Sequence, residues 1–277
     1  MVISSYMQDV PLGVRSPWGH PPLNIALEEG LRADMTARAG RGYFLCWRNE
    51  PAVIVGRNQD ALAELTPGAR AKGLPVYRRT SGGGAVYHDR GNLNWSLVVR
   101  GDLRDRERLL GLVLGVLQAL GIPAEEGPRA GIYAEKFKIG GTASAAAHGI
   151  LLFHGTLLVS TDLGELKNAL AAHTPAYPAG RAPAAFRGVP SVPSELTTLN
   201  RLRPGLDIDT LEAALFAGIA RAGAPRPPEA VLELDPVESL AREYGREAWI
   251  LHRRPPARNK KNIESRTAAA RDRRGTP

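Results

Sequence analysis

The sequence predicts an α/β protein in which paired strands are covered by helices, and three observations carry that prediction. Short apolar or alternating runs bounded by turn residues recur between residues 43 and 160, the pattern expected of strands. Two longer segments, residues 22–38 and 103–120, place leucines, valines and alanines at helical spacing. The chain has 277 residues and 43% hydrophobic content, enough for one large core or two modest ones, and a single domain over residues 1–255 is the expectation.

In chain order, Pro22 suits the first turn of a helix whose apolar face carries Ile25, Leu27, Leu31 and Met35, with Gly40 at its end. Tyr43–Trp47 and Ala52–Val55 follow as two strands around the turn Asn49-Glu50-Pro51. Asn58 or Asp60 is placed to cap a helix running to about Ala71. Leu74, Val76 and Tyr77 read as a short strand, Ala85-Val86-Tyr87 as another, and Leu93–Val99 as a third. The helix over 103–120 stops at Gly121-Ile122-Pro123 and is expected to cover one face of the sheet. Short strands fill Tyr133–Ser160, and a helix is predicted from Asp162 to Ala172. Pro175, Pro178, Pro183, Pro190 and Pro193 then make a long loop, a feature that serves as a lid about as often as it is a plain surface excursion. Asp209 is expected to cap a helix over Thr210–Ala222, and a last helix lies near Val237–Tyr244.

The net charge of +8 would suggest nucleic acid, but residues 253–277 hold nine of the basic residues against Glu264 and Asp272. The rest of the chain is close to neutral. Residues 256–277 lack apolar periodicity and read as a basic, disordered, solvated tail, so nucleic-acid binding is disfavoured. No apolar run approaches the roughly 20 residues of a membrane span, and Met1–Val10 lacks the charged-then-apolar pattern of a leader, so a cytoplasmic location is expected. The one cysteine, Cys46, excludes an internal disulfide and reads as a buried thiol in a strand. No Cys and His spacing of the zinc type exists, and no metal ligand is assigned.

Arg78-Arg79-Thr80-Ser81-Gly82-Gly83-Gly84-Ala85-Val86-Tyr87-His88-Asp89-Arg90-Gly91-Asn92 is the most informative stretch. Consecutive glycines let backbone N–H groups converge on an anion or let a ligand lie against the main chain. Alone, such a loop is more often a hairpin turn with chance arginines. Lys138 likewise has two readings, a solvated edge lysine or a charge aimed into a cleft, and local sequence prefers the first. Lys136 lies on the same face. His88 and His154 read as hydrogen-bonding groups, and Asp89 and Asn92 as supports for the loop.

The whole stretch resembles the signature of the lipoate-protein ligase A family. Lys138-Ile139-Gly140-Gly141-Thr142-Ala143 with Leu151-Leu152-Phe153-His154-Gly155-Thr156-Leu157-Leu158 resembles that family's lysine strand and the strand after it. Trp47–Gln59 resembles its early strand pair. With Asn24–Glu29 and Glu247–Ile250 the resemblance spans residues 20 to about 255. It implies the α/β fold shared with biotin protein ligases, a mixed, largely antiparallel sheet with flanking helices. It also implies ATP-dependent activation of lipoate, or a related medium-chain acid, to an acyl adenylate, followed by transfer to a lysine of a lipoyl carrier domain. Carriers would be 2-oxoacid dehydrogenase E2 or the glycine cleavage H protein, with ATP and Mg²⁺ as cofactors.

In that resemblance Lys138 contacts the acyl carboxylate and the phosphate. Arg78, Arg79 and the amides of Gly82, Gly83 and Gly84 supply further donors, and the acyl chain lies against the loop and Val86. Ser81, His88, Asn92, Gly140 and His154 line the site. Ser191-Val192-Pro193-Ser194 resembles the motif after a mobile loop that closes on the adenylate. Octanoyl transferases of this fold use a cysteine nucleophile, and Cys46 lies outside the blocks where they carry theirs, so a thioester route is disfavoured. Biotin ligases carry a Gly-Arg-Gly-Arg type loop, so biotin is disfavoured as well. Two departures stand out. Ser144-Ala145-Ala146-Ala147 replaces larger polar or basic residues, and the chain after Trp249 is too short for the family's C-terminal accessory domain, which in some relatives is a separate subunit. A transferase, or a weakened relative that binds adenylate or carrier and needs a partner, is the alternative.

Overall fold

Strands that are covered on both faces have no polar side, and this is how the central strands of this protein come to read as nearly continuous apolar runs. The structure, a computed structural model, describes residues 11–37, 42–173, 189–220 and 225–255. Its elements begin with β1 (Leu12–Arg15), α1 (Pro21–Ala37), β2 (Tyr43–Trp47), β3 (Ala52–Val55), α2 (Pro67–Ala71), β4 (Val76–Arg78), β5 (Val86–His88) and β6 (Asn92–Arg100). There follow α3 (Arg106–Ala119), β7 (Ala124–Gly127), β8 (Gly131–Ala134), β9 (Phe137–Ala147) and β10 (Ile150–Leu158). The last are α4 (Leu163–Ala169), α5 (Leu199–Leu202), α6 (Ile208–Ile219), α7 (Leu234–Tyr244) and α8 (Glu247–Ile250).

Seven strands form one sheet in the order β1-β2-β6-β10-β9-β8-β7, and three form a second in the order β4-β3-β5. Each sheet contains one parallel pair, β1 with β2 and β3 with β4, and is otherwise antiparallel. The mixed, largely antiparallel sheet with flanking helices is therefore the observed fold.

Alternation along the strands divides the core. Phe44, Trp95, Leu151 and Phe153 pack with Leu109, Val113 and Leu117 of α3 and Leu211, Leu215 and Phe216 of α6. Leu45, Trp47, Val98 and Leu152 point the other way, onto Ile25, Leu31 and Met35 of α1 and Val237 and Ala241 of α7. The small sheet makes a third cluster from Val53, Val55 and Tyr87 with Ala69 of α2, Leu166 of α4 and Ile250 of α8.

Two predicted boundaries are corrected. No long helix runs from residue 58 or 60 to 71. Asp60 Oδ1 accepts from the N–H groups of Leu62 and Ala63 in a turn, and the helix starts only at Pro67, with Thr66 Oγ1 accepting from Ala69 N at 3.0 Å. Proline lacks the N–H that an uninterrupted helix would need there and suits a first turn. Asp207, not Asp209, caps α6, its Oδ1 accepting from Thr210 N at 2.7 Å. Asp209 is paired with Arg48 instead. Gly40, most of the proline-rich loop and the basic tail lie outside the described residues. No described helix is long and apolar enough to cross a membrane.

Candidate active site between the two sheets

The glycine loop connects β4 to β5 in the small sheet, and Lys138 opens β9 in the large one. Three contacts bring them together. Ser81 Oγ lies 2.7 Å from Nε2 of His154 on β10. A methyl on Gly83 would lie 3.8 Å from the Ala143 methyl of β9. The segment after residue 188 straps both sides. Ser191 Oγ accepts from Ala85 N at 2.8 Å and from Gln59 Nε2 at 3.0 Å, and farther on Lys138 N donates to Glu195 O at 2.8 Å.

Lys138 owes its aim to a bulge. Between β8 and β9 the register runs Tyr133↔Lys138 and then Ile132↔Gly140, which leaves Ile139 as the extra residue. The lysine stem consequently lies over glycines, with Cε 3.1 Å from where a methyl on Gly131 would sit and Nζ 3.8 Å from the same point on Gly141. Gly141 and Ala143 share a strand face and are about 7 Å apart. The ammonium lies beside Gly141, one same-face position along β9 from Ala143, the residue nearest Gly83 of the glycine loop. Among the described residues no carboxylate or carbonyl accepts from it. Burial lowers its pKa, and the nearby Arg129 guanidinium adds to that. Arg129 and the next residue, Ala130, both hold left-handed conformations, φ 58° and 54°, and Ala130 O accepts from Thr142 Oγ1 at 2.7 Å. Two neighbouring cations, one of them without an acceptor among the described residues, are what an anionic ligand would complete. Arg129 carried no signal in the sequence, because only the β7–β8 turn brings it beside Lys138.

Gly140 holds the neighbouring position for a steric reason. A methyl there would lie 2.1 Å from Thr156 O on β10. Gly140→Ala is expected to force the strands apart and destabilise the fold by about 1–3 kcal/mol. A thermal melt checks this, and an unchanged midpoint would refute it.

The two arginines serve the chain's own carbonyls. Arg78 is fully buried. Its Nε and Nη2 donate to Ile250 O at 2.9 and 2.6 Å, and Nε also to Trp249 O at 3.1 Å. Nη1 donates to the carbonyls of Gly56, Arg57 and Gln59 at 2.8–3.0 Å. Arg79 donates from Nη1 to Ile54 O at 3.1 Å, from Nη2 to Gly82 O at 2.6 Å and Gly84 O at 2.8 Å, and from Nε to Ser81 Oγ at 3.1 Å. It organises the loop from beneath. The backbone there is tight, since a methyl on Gly56 would meet Gly83 O at 2.1 Å, and Gly83 itself has φ 87°.

The remaining predicted site residues divide. Ser81, Gly82, Gly83, Gly84 and His154 gather in this cluster. Val86 is half-buried on β5 beside Ile54. His88 and Asn92 turn elsewhere. His88 Nδ1 accepts from Asn49 Nδ2 at 2.9 Å, and its ring meets Trp47 edge-on. Asn92 Nδ2 donates to Asn94 Oδ1 at 2.9 Å. Burial, with Arg79 and His154 nearby, pulls the His88 pKa down to about 3. The unfolded chain, with histidine near 6.5, binds the extra proton between those values, so stability falls with falling pH across that window by up to about 1.4 kcal/mol per unit. His88→Gln is expected to flatten this limb in pH-dependent denaturant titrations. An equally steep limb in the variant would place the titration elsewhere.

A family model of the lipoyl protein ligase A/B catalytic domain matches residues 20–220. The chain belongs to that family. Among curated relatives of this lipoyl ligase A/B domain, lipoate–protein ligase 1 of Staphylococcus aureus (strain Mu50) is 38% identical over 154 residues, which are 54% of this chain and 46% of that protein. The chain spans about half the length of the curated relatives it matches. A solved lipoate-protein ligase A bound with ATP superposes with a TM-score of 0.69 at 25% identity, covering 88% of this chain and 98% of the other. A T. acidophilum structure with bound lipoic acid gives 0.68 at 26% identity, covering 87% and 99%.

Proposed function

We propose that this lipoyl ligase A/B domain activates lipoate, or a related medium-chain acid, with ATP and delivers the acyl group to a lysine of a lipoyl carrier domain. The observation that carries the reading is the Lys138 ammonium, without an acceptor among the described residues, beside Gly141 on the strand whose Ala143 meets a glycine loop with Gly82 O and Gly84 O held by Arg79. In the first step the acid's carboxylate oxygen attacks the α-phosphorus and diphosphate leaves. Lys138, with Arg129 beside it, offsets the negative charge gathered there, and loop amides supply preorganised donors. In the second step a carrier lysine amine attacks the acyl carbon, AMP leaves, and the amine proton is lost to solvent. No enzyme nucleophile is required, and Cys46 is buried with its pKa raised by that burial. Among the described residues no group of three or more His, Cys, Asp or Glu side chains could hold a metal. The magnesium in this reading enters with the nucleotide's phosphates as part of the substrate.

A second reading is favoured by β9 itself. Ser144, Ala145, Ala146 and Ala147 offer no long polar side chain to the adenylate, so activation would need a partner subunit while transfer would not. Mass spectrometry of an apo lipoyl domain incubated with the protein and either lipoate, ATP and Mg²⁺ or preformed lipoyl adenylate separates the two. A gain of one lipoyl group in both tubes is the expected result. A gain with the adenylate alone selects the partner-dependent reading, and no gain in either tube overturns both.

A further inference from the structure

Glu28 was given no role above, yet it ends a buried hydrogen-bond chain that begins at the glycine loop. It sits on the covered face of α1, 2% exposed. Its Oε1 accepts from Ser96 Oγ at 2.5 Å and is 2.7 Å from His154 Nδ1. A carboxylate only accepts, so Nδ1 carries a proton, and in the neutral ring Nε2 is then an acceptor. For that ring the contact from Ser81 Oγ, 2.7 Å away, is a donation to Nε2. The serine oxygen in turn accepts from Arg79 Nε, and the same guanidinium holds the carbonyls of Ile54, Gly82 and Gly84. All the hydrogen bonds run in one sense, from the Arg79 cation to the Glu28 carboxylate.

This chain decides which way the loop peptides face. In a trans peptide the N–H points opposite to the preceding C=O. With Gly82 O and Gly84 O turned onto Arg79, the N–H groups of Gly83 and Ala85 point away from it, and Ala85 N indeed donates to Ser191 Oγ at 2.8 Å. If His154 changed tautomer, Nε2 would become a donor and Ser81 would have to accept from both His154 and Arg79, with its own hydrogen displaced.

Resting on the ligase reading, we propose that Glu28 is a positioning residue for acyl adenylate formation: it sets the tautomer of His154, which orients Ser81, and through Arg79 keeps the Gly83 N–H turned outward as a donor for the phosphate. Its effect is on the loop, and Glu28 touches no reacting atom.

The test compares wild type, Glu28→Gln, which keeps an acceptor oxygen, and Glu28→Leu, which keeps the buried apolar stripe but has none. Two quantities are read: the His154 ring-nitrogen shifts in ¹⁵N-histidine-labelled protein, assigned with His154→Gln, and diphosphate release with lipoate and ATP. The expected result is an Nδ1–H ring in wild type and Glu28→Gln and an Nε2–H ring in Glu28→Leu. With the switch, kcat should fall on the order of 100-fold, the usual effect of losing one preorganised donor, and KM for lipoate should change little. Glu28→Gln should recover most of the rate. A wild-type Nε2–H ring, or a Glu28→Leu protein as active as an active wild type, overturns the proposal. A wild type that releases no diphosphate removes the ligase reading itself.

Discussion

Lys138→Ala is expected to lower the rate of lipoyl adenylate formation at least about 100-fold while leaving the melting temperature unchanged or slightly higher. The two halves of this expectation share one cause. The ammonium is desolvated by its place over Gly131 and Gly141, sits near a second cation, and has no acceptor among the described residues. In the free protein that arrangement costs stability, since a desolvated charge without a partner is unfavourable. Once an anion is bound, the same charge stabilises it in a setting less screened than bulk water. Removing the side chain therefore relieves the free enzyme and penalises the phosphate-bearing state. Diphosphate release and a thermal melt on the same preparation check both. A variant that melts much lower would mean that Lys138 holds the fold, and one of full activity would assign the charge to another residue.

Arg78→Ala is expected to be the most damaging substitution for stability, at about 3–5 kcal/mol. One guanidinium satisfies the carbonyls of Gly56, Arg57, Gln59, Trp249 and Ile250, and it ties the turn after β3 to α8. Trp249 Nε1 returns a hydrogen bond to Arg78 O at 2.6 Å. Alanine would leave the oxygens of Arg57, Gln59 and Ile250 without these donors, remove a second donor from those of Gly56 and Trp249, and open a cavity. Lysine cannot restore them, because its single ammonium lacks the planar fork. Denaturant unfolding of Arg78→Ala and Arg78→Lys measures the loss. If Arg78 instead bound the nucleotide's phosphates, both variants would keep the wild-type midpoint and show a raised KM for ATP.

Much of the architecture was legible because local chemistry and tertiary placement agree. The helix over 22–38 and the one over 103–120 appear as α1 and α3, within a few residues at each end. The strands at 43–47 and 52–55 appear with the predicted bounds. Where they disagree, the long-range partner wins. The turn at residues 57–63 is held open by the Arg78 guanidinium, 15 or more residues farther along the chain, so a capped helix there never forms. Asp209 has the right chemistry for a cap, but Arg48 of the neighbouring strand connection takes its carboxylate.

The site divides in the same way. A run of three glycines, a lysine between apolar neighbours and the strands around them are properties of neighbouring residues, but local sequence preferred a hairpin turn and a solvated lysine, and only the family resemblance singled out the loop, Lys138 and Gly140. One signal was present and passed over: Glu28 stands among Asn24, Ile25, Leu31 and Met35 on the stripe that α1 buries, and a carboxylate in such a place needs partners. What those partners are depends on residues 68 and 126 positions away, and side-chain hydrogen bonds of that span leave no periodic trace in a sequence. The direction in which Arg78 and Arg79 spend their donors, the meeting of Arg129 with Lys138 and the Glu28–His154–Ser81 chain are all of this kind. Composition and spacing specified the elements and the chemistry on offer, and the packing of one sheet against the other specified which groups face the cleft and which serve the backbone beneath it.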